Sequence, residues 1–260
     1  MVALQGIMIT NSHKEKHMTR IKFLVVLCTL AAVVSSTPTW MWIGTYGIDN
    51  YAGNGGGGNL TQSIAGANEF AAAADVYCPL AYTYMQKTDA EVTFAAVANN
   101  GTREMCDFIY FDGHGTDGVL FLGYGAGYGS VNPDNLSMGT SYNRWAYFYT
   151  CLTLAYRSSI FTYWGGAFDG VQTILGFASV TWAVSWKENI HNQFWNDWVN
   201  TGKAMGTAHL DACEDWLWDY AGLEVDPALI SSNSTHSHSY TQATSAAGGS
   251  PTLWMRRICD

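Results

Sequence analysis

Residues 106–123 read CDFIYFDGHGTDGVLFLG. Phe108, Ile109, Tyr110 and Phe111 form an uninterrupted apolar run between Asp107 and Asp112. A short apolar run bounded by polar residues is the pattern of a strand buried on both faces, and such strands belong to parallel sheets. The run then ends in Asp-Gly-His-Gly, so a single histidine stands between two glycines just beyond a buried strand.

Working outward, the same pattern recurs in RWAYFYTC at 144–151 and VQTILGFA at 171–178. TWMWIGTYGID at 39–49 reads as a first, aromatic strand, residues 119–122 as a brief strand, and TLWMRRI at 252–258 as an edge strand. Helices are expected at 60–74, which is alanine-rich, from the capping box Thr88-x-x-Glu91 to a stop at Asn99-Asn100-Gly101, and at 152–163, 187–200 and 203–220. Strands alternating with helices predict an α/β fold in three layers, a mostly parallel central sheet flanked by helices. Loops are expected at 50–59, 123–141 and 231–248, all rich in small residues. The glycines at 53–58 are not followed by Gly-Lys-Ser/Thr, so they do not form a P-loop.

The first 36 residues differ from the rest. A basic head at 18–22, twelve apolar residues at 23–34 and a small-residue stretch ending in proline have the order of a secretory signal peptide. Twelve apolar residues are short for a bilayer span, so membrane attachment is expected only where this segment stays uncleaved. Residues 1–17 precede the signal as an extension, an arrangement that a start at Met18 explains. The expectation is therefore an exported protein, secreted or at the cell surface, with a single domain at 37–260. The whole chain carries −9; residues 1–36 hold Lys14, Lys16, Arg20 and Lys22 against Glu15, which leaves −12 on the remainder. A body this acidic, with eight basic residues, is a poor nucleic-acid binder, so no nucleic-acid partner is expected. Four sequons, at Asn59, Asn100, Asn135 and Asn233, are candidate glycan acceptors. Cys78, Cys106, Cys151, Cys213 and Cys259 follow the signal, an odd number for an exported chain. If Cys78, Cys106, Cys213 and Cys259 form two bridges, in any of three pairings, Cys151 is the remaining thiol.

In open α/β sheets functional groups gather beyond the carboxyl ends of the strands. His114 follows the strand at 108–111 and Cys151 ends the strand at 145–150. If the two strands are parallel neighbours, a thiol and an imidazole meet at one edge, which is a nucleophile and its base. The imidazole would raise the thiolate fraction of Cys151. The flanking glycines would let the backbone turn sharply, and the amides of Gly115 and Cys151 would face a developing oxyanion.

These motifs, FIYFDGHG and then WAYFYTC, resemble the caspase–gingipain–legumain clan of cysteine peptidases, in which an apolar strand leads into His-Gly and a later strand into Cys. Here His114 precedes Cys151 by 37 residues. AFDGVQTILGFAS at 167–179 also resembles the block after the cysteine in a little-studied family of caspase-like domains of unassigned function. The likeness spans roughly residues 39–222. It implies a caspase-like fold, a His114–Cys151 dyad and peptide-bond hydrolysis. Leu152 after the cysteine and Tyr149-Thr150 before it depart from the clan's pattern and leave the substrate pocket open. Asp112, Asp117 and Asp169 are candidate pocket carboxylates for a basic substrate. The alternative is a catalytically inactive caspase-like protein that acts as a surface or interaction module. No metal site is expected. Asp112 and Asp117 offer at most a weak Ca²⁺ pair with no EF-hand spacing, and His236 and His238 lack a third ligand. His191 and His209 fall on expected helices and read as surface residues. The Trp-rich helices read as packing elements rather than sugar platforms. Nothing in the sequence indicates an oligomeric state.

Overall fold

In the computed structural model, residues 40–51, 58–98, 100–123, 129–155, 160–232 and 251–255 are described. The strands are β1 (Met41–Gly47), β2 (Ala81–Thr88), β3 (Phe108–Asp112), β4 (Gly115–Thr116), β5 (Val119–Phe121), β6 (Ser130–Val131), β7 (Trp145–Tyr149), β8 (Thr173–Phe177), β9 (Pro227–Ser232) and β10 (Pro251–Met255). The α-helices are α1 (Ser63–Tyr77), α2 (Phe94–Ala98), α3 (Asn100–Arg103), α4 (Ile160–Gly165), α5 (Lys187–Trp195) and α6 (Met205–Cys213). Seven strands form one sheet in the order β10-β9-β8-β7-β3-β1-β2. Strands β2, β1, β3, β7 and β8 pair in parallel, and β9 is antiparallel to both β8 and β10. β4, β5 and β6 make a separate small antiparallel sheet. The mixed α/β class and the mostly parallel sheet flanked by helices are as the alternation of elements predicts.

β3, β7 and β8 are buried along their whole length, which is why their sequences run apolar instead of alternating. One face of the sheet packs Phe108, Tyr110, Tyr147 and Tyr149 against α1, α5 and α6. The opposite face packs Ile109, Phe111 and Phe148 against α2, α4 and the small sheet. Trp195 and Trp198 are fully enclosed in the first core, so the tryptophan-rich helix is a packing element.

Several boundaries differ from the sequence expectation for local reasons. α1 begins at Ser63 because Asp49 Oδ1 accepts the Ser63 amide at 2.8 Å, a cap supplied from outside the helix. The Thr88–Glu91 capping box forms, but it closes a single 3₁₀ turn at Asp89–Glu91, and α2 and α3 follow as short separate helices. The expected helix at 152–163 shrinks to α4. Leu152 sits in the left-handed region at φ 54°, and its amide donates to Ser179 O, so the chain after Cys151 is tied to the next strand instead of coiling. α5 and α6 continue as π-type turns over Asn196–Asn200 and Glu214–Asp219. The edge strand expected at 252–258 is β10, which starts one residue earlier; residues 256–258 lie outside the described residues. β2 and β9 are strands to which the sequence pattern gives little signal. The expected loop at 231–248 lies outside the described residues from 233 onward.

The two-bridge cysteine scheme does not survive. It needs one bridge among Cys78, Cys106 and Cys213, and among the described residues no disulfide joins any of them. Cys78 and Cys213 belong to one core and Cys106 to the other, with the sheet between them. Cys259 lies outside the described residues. Among the described residues no helix is long and apolar enough to cross a membrane.

The core leaves no room for a side chain at Gly44 in β1. A β-carbon on Gly44 would stand 2.8 Å from Cys106 Sγ and 2.9 Å from Ile109 Cδ1. Gly44→Ala therefore overpacks the core and should cost about 1–3 kcal/mol. Urea unfolding checks this as a lower midpoint with an unchanged slope.

Candidate functional site

The parallel register between β3 and β7 decides where the site lies. Phe108 stands opposite Trp145, and the ladder runs on to Asp112 opposite Tyr149. Two residues further along each strand come His114 and Cys151. Side chains alternate along a strand, so each falls on the same face as the pair before it, on chains about 4.8 Å apart. Both residues line one cavity at the carboxyl edge of the sheet.

The two glycines serve space, not turning. Neither Gly113 nor Gly115 has a positive φ. A β-carbon on Gly113 would strike the Tyr51 hydroxyl, and one on Gly115 would stand 2.8 Å from Thr150 Oγ1 and 2.9 Å from its Cβ. Gly115 thus lets the histidine segment lie directly against the residue that precedes Cys151. Its amide is also well placed. Phe121 N donates to His114 O, and Gly115 pairs with Leu120 in the next step of the antiparallel ladder. Alternation then turns the Gly115 amide out of that ladder.

His114 is held from two sides. Its backbone N–H donates to the Tyr51 hydroxyl at 2.9 Å, and the two rings lie 4.6 Å apart. Its Nε2 is 2.7 Å from Gly58 O. A carbonyl only accepts, so this bond requires the proton on Nε2 and leaves the Nδ1 lone pair as the basic position. Gly58 belongs to the glycine-rich loop expected at 50–59.

Cys151 is half-buried, and its thiol donates to Thr181 O at 3.4 Å. Burial raises its pKa above the ordinary cysteine value; the Thr181 contact, the Cys151 amide and the Lys187 charge offset this only in part. Burial therefore favours the protonated thiol at rest.

Beneath both residues lies a buried ion pair. Lys187, the first residue of α5, places Nζ 2.8 Å and 2.6 Å from the two oxygens of Asp112, and both side chains are almost wholly enclosed. The ammonium also sits 4.5 Å above the Tyr149 ring, a cation–π contact. Tyr110 donates its hydroxyl hydrogen to Asp112 Oδ2 at 3.0 Å, and its oxygen lies 3.1 Å from His191 Nε2. Burial holds His191 well below the ordinary histidine pKa, hence neutral. Burial pushes the Asp112 carboxyl up, against the opposing pull of Lys187. Room for the pair comes from α1: a β-carbon on Gly66 would clash with Asp112 Oδ2 and stand 2.8 Å from Lys187 Cδ.

The chain belongs to the DUF6345 family. The model of that family, a domain of unknown function, matches residues 42–250. No curated protein matches the chain. Among solved structures it is similar to pro-Sf-caspase-1, at 10% identity and a TM-score of 0.45 over 83% of this chain and 86% of that one. At that distance the likeness says nothing of the site.

The remaining candidates fall elsewhere. Asp112 lines the cavity, but its charge is taken up by Lys187, so it offers neither a basic-substrate pocket nor half of a Ca²⁺ pair. Asp117 lies in the turn between β4 and β5, at φ 42°, and Asp169 accepts a hydrogen bond from Ser137; neither lines the cavity. Among the described residues no group of three or more His, Cys, Asp or Glu is placed to hold a metal ion. His191 and His209 are buried, not on the surface; His209 Nε2 is 3.2 Å from Gly176 O. His236 and His238 lie outside the described residues. Asn59 is exposed and its Oδ1 accepts the Tyr51 amide; Asn135 is exposed in a 3₁₀ turn; Asn100 begins α3; Asn233 lies outside the described residues.

Sequence reasoning missed Tyr51, Gly58, Thr181 and Lys187. Backbone carbonyls leave no trace in a sequence. Lys187 left one cue, a cation at a helix start, where the macrodipole disfavours it and a buried anion nearby is the natural compensation.

Two outcomes follow. Lys187→Met strands a buried carboxylate and should destabilise by about 3–5 kcal/mol, read from urea unfolding. Iodoacetamide labelling of Cys151 without substrate should be slow at neutral pH. Because the folded-state pKa is raised, it should keep rising, roughly tenfold per pH unit, past the range of an ordinary cysteine; alkylation rates with peptide mass spectrometry check this.

Proposed function

We propose that the protein is an exported cysteine peptidase of caspase-like type, with Cys151 as nucleophile and His114 as general base. The observation that carries this reading is the β3–β7 register, which brings the two side chains to one cavity while Gly58 O fixes the tautomer that leaves Nδ1 basic. The thiol is neutral at rest, so the imidazole acts when substrate arrives. As Sγ attacks a peptide carbonyl, its proton passes to Nδ1 of His114. The carbonyl π bond opens to an oxyanion that faces the amides of Gly115 and Cys151. The C–N bond breaks and the imidazolium proton goes to the departing amine. Water then attacks the thioester, gives a proton to His114, and releases the acid as the thiol re-forms.

A second reading draws on a specific surface. Trp40, Trp42, Tyr82, Tyr84 and Tyr142 are exposed near the amino ends of β1 and β2, and Trp42, Tyr84, Met105 and Tyr142 line a cavity of about 270 Å³ there. Such a patch suits an interaction module with no catalysis.

A peptidyl acyloxymethyl ketone distinguishes them. Its labelling of Cys151, followed by intact mass, should fall by about 10²-fold or more in His114→Ala, the usual range for loss of a general base. Cys151→Ser should take no label. Equal labelling in wild type and His114→Ala, or none in either, would leave the interaction reading standing. Gly115→Ala, which drives a methyl group into Thr150, should reduce labelling with little change in far-ultraviolet circular dichroism.

A further inference from the structure

We propose that the exposed aromatic cluster at the amino ends of β1 and β2 binds a quaternary ammonium group, the choline of a phosphatidylcholine headgroup at a membrane surface. This gives the patch a ligand and does not depend on the chemistry of the Cys151 cavity. The walls come from four separate segments. Trp42 belongs to β1 and Tyr84 to β2, Met105 precedes β3 and Tyr142 precedes β7, and together they line one cavity of about 270 Å³. All four side chains are exposed. Large apolar groups gathered on a surface in this way mark a binding site.

The arrangement of the rings selects the ligand. The Trp42 and Tyr84 centroids are 5.1 Å apart and their planes stand at 78°. A β-bulge puts Tyr84 there: Ile43 pairs with Thr83 and Gly44 with Met85, which leaves Tyr84 as the extra residue, and bulges re-aim side chains. Two walls at nearly a right angle make a corner. A sugar ring stacks on a flat platform, whereas a corner fits a compact, rounded cation. None of these four lining residues is charged, so a cation is held by the negative faces of the rings, with the polarisable sulfur of Met105 beside them. A primary ammonium is strongly hydrated and resists transfer into such a box. A trimethylammonium presents methyl groups and leaves water readily. The surplus of −12 after residue 36 draws cations and repels an anionic surface. Two features favour a membrane as the source of the choline. Trp40 and Tyr82 are exposed with their rings 5.0 Å apart, and Tyr82 is the register partner of Trp42, so they extend the patch beside the box. Tryptophan and tyrosine are the side chains that settle at the headgroup level of a bilayer. Trp40 and Trp42 also follow the apolar residues 23–34 by only six and eight positions. At about 3.3–3.6 Å per residue, a bilayer that engages that segment has its headgroups within reach of the patch.

The test is flotation of the full chain with phosphatidylcholine vesicles, with phosphocholine or phosphoethanolamine added as a soluble competitor. The bound fraction should fall with phosphocholine and stay unchanged with phosphoethanolamine at the same concentration. Tyr142→Leu and Tyr84→Leu keep an apolar side chain but remove the ring face. Each should weaken vesicle binding about two- to fivefold, the range of one exposed cation–π contact. Tyr142→Phe keeps the face and should bind as the wild type does. Tyr142 lies outside any strand or helix and is exposed, so its variants carry little risk to folding. Equal flotation of wild type and both leucine variants, with no displacement by phosphocholine, would mean that residues 23–34 alone engage the vesicle and would overturn the proposal. Equal displacement by both competitors would overturn the quaternary ammonium as the ligand. Broadening of the phosphocholine N-methyl proton signal by a wild-type chain that does not float would overturn the membrane as its source. None of these readouts involves Cys151, so failure here is distinct from failure of the peptidase reading.

Discussion

The pairing of Asp112 with Tyr149 is the constraint on which the upper edge of the sheet depends. Parallel strands in a sheet covered on both faces have their register set by two cores at once, since a slip of one residue would exchange the residues facing α1 and α5 with those facing α2 and α4. Once Asp112 is opposite Tyr149, His114 and Cys151 must leave the sheet side by side. Lys187 then locks the arrangement from beneath the two residues. It bonds the end of β3, covers the ring at the end of β7, and belongs to the helix that follows β8. One ammonium thus ties the ends of two neighbouring strands to the helix that covers them.

The resting site is held apart rather than coupled. The imidazole bonds Gly58 O and the thiol bonds Thr181 O, so each polar hydrogen has an acceptor before any substrate is present. Burial keeps the thiol protonated. A neutral thiol stores no charge in a half-buried place, which costs less than a preformed thiolate–imidazolium pair beside the Asp112–Lys187 pair already there. Leu152, held at φ 54° directly after the cysteine, adds local strain that the Ser179 contact sustains.

Much of this was readable in the residues. Buried parallel strands announce themselves as short apolar runs, so β3, β7 and β8 and the sequence order of His114 and Cys151 were legible, and with them the class of the fold. Gly115 was legible as a special position, though for the wrong reason: the constraint is the approach of Thr150, which depends on a chain 35 residues away and leaves the local dihedral ordinary. Helix limits were less legible where a cap comes from a distance, as from Asp49 to Ser63, or where a residue adopts an unfavoured backbone, as Leu152 does. The cysteine count misled because parity cannot say on which side of a sheet a thiol lies. The partners of His114 and Cys151 were illegible for a general reason. Two are main-chain carbonyls, and Lys187 is matched to Asp112 across 75 residues with no motif to join them.

Net charge was the weakest guide to the site. A surplus of −12 after residue 36 suggests cationic partners when each carboxylate is counted as available. In the folded chain the carboxylate on the cavity lining faces an ammonium, and Glu104 is enclosed beside Arg103 while it accepts the amides of Gly139 and Ser141. The local balance at the floor of this cavity is therefore zero, whatever the total. Long-range attraction from the remaining acidic surface bears on how fast a charged partner arrives and is screened over about 8–10 Å at ordinary salt. The charges of Asp112 and Lys187 lie 2.6–2.8 Å apart and cancel well inside that distance.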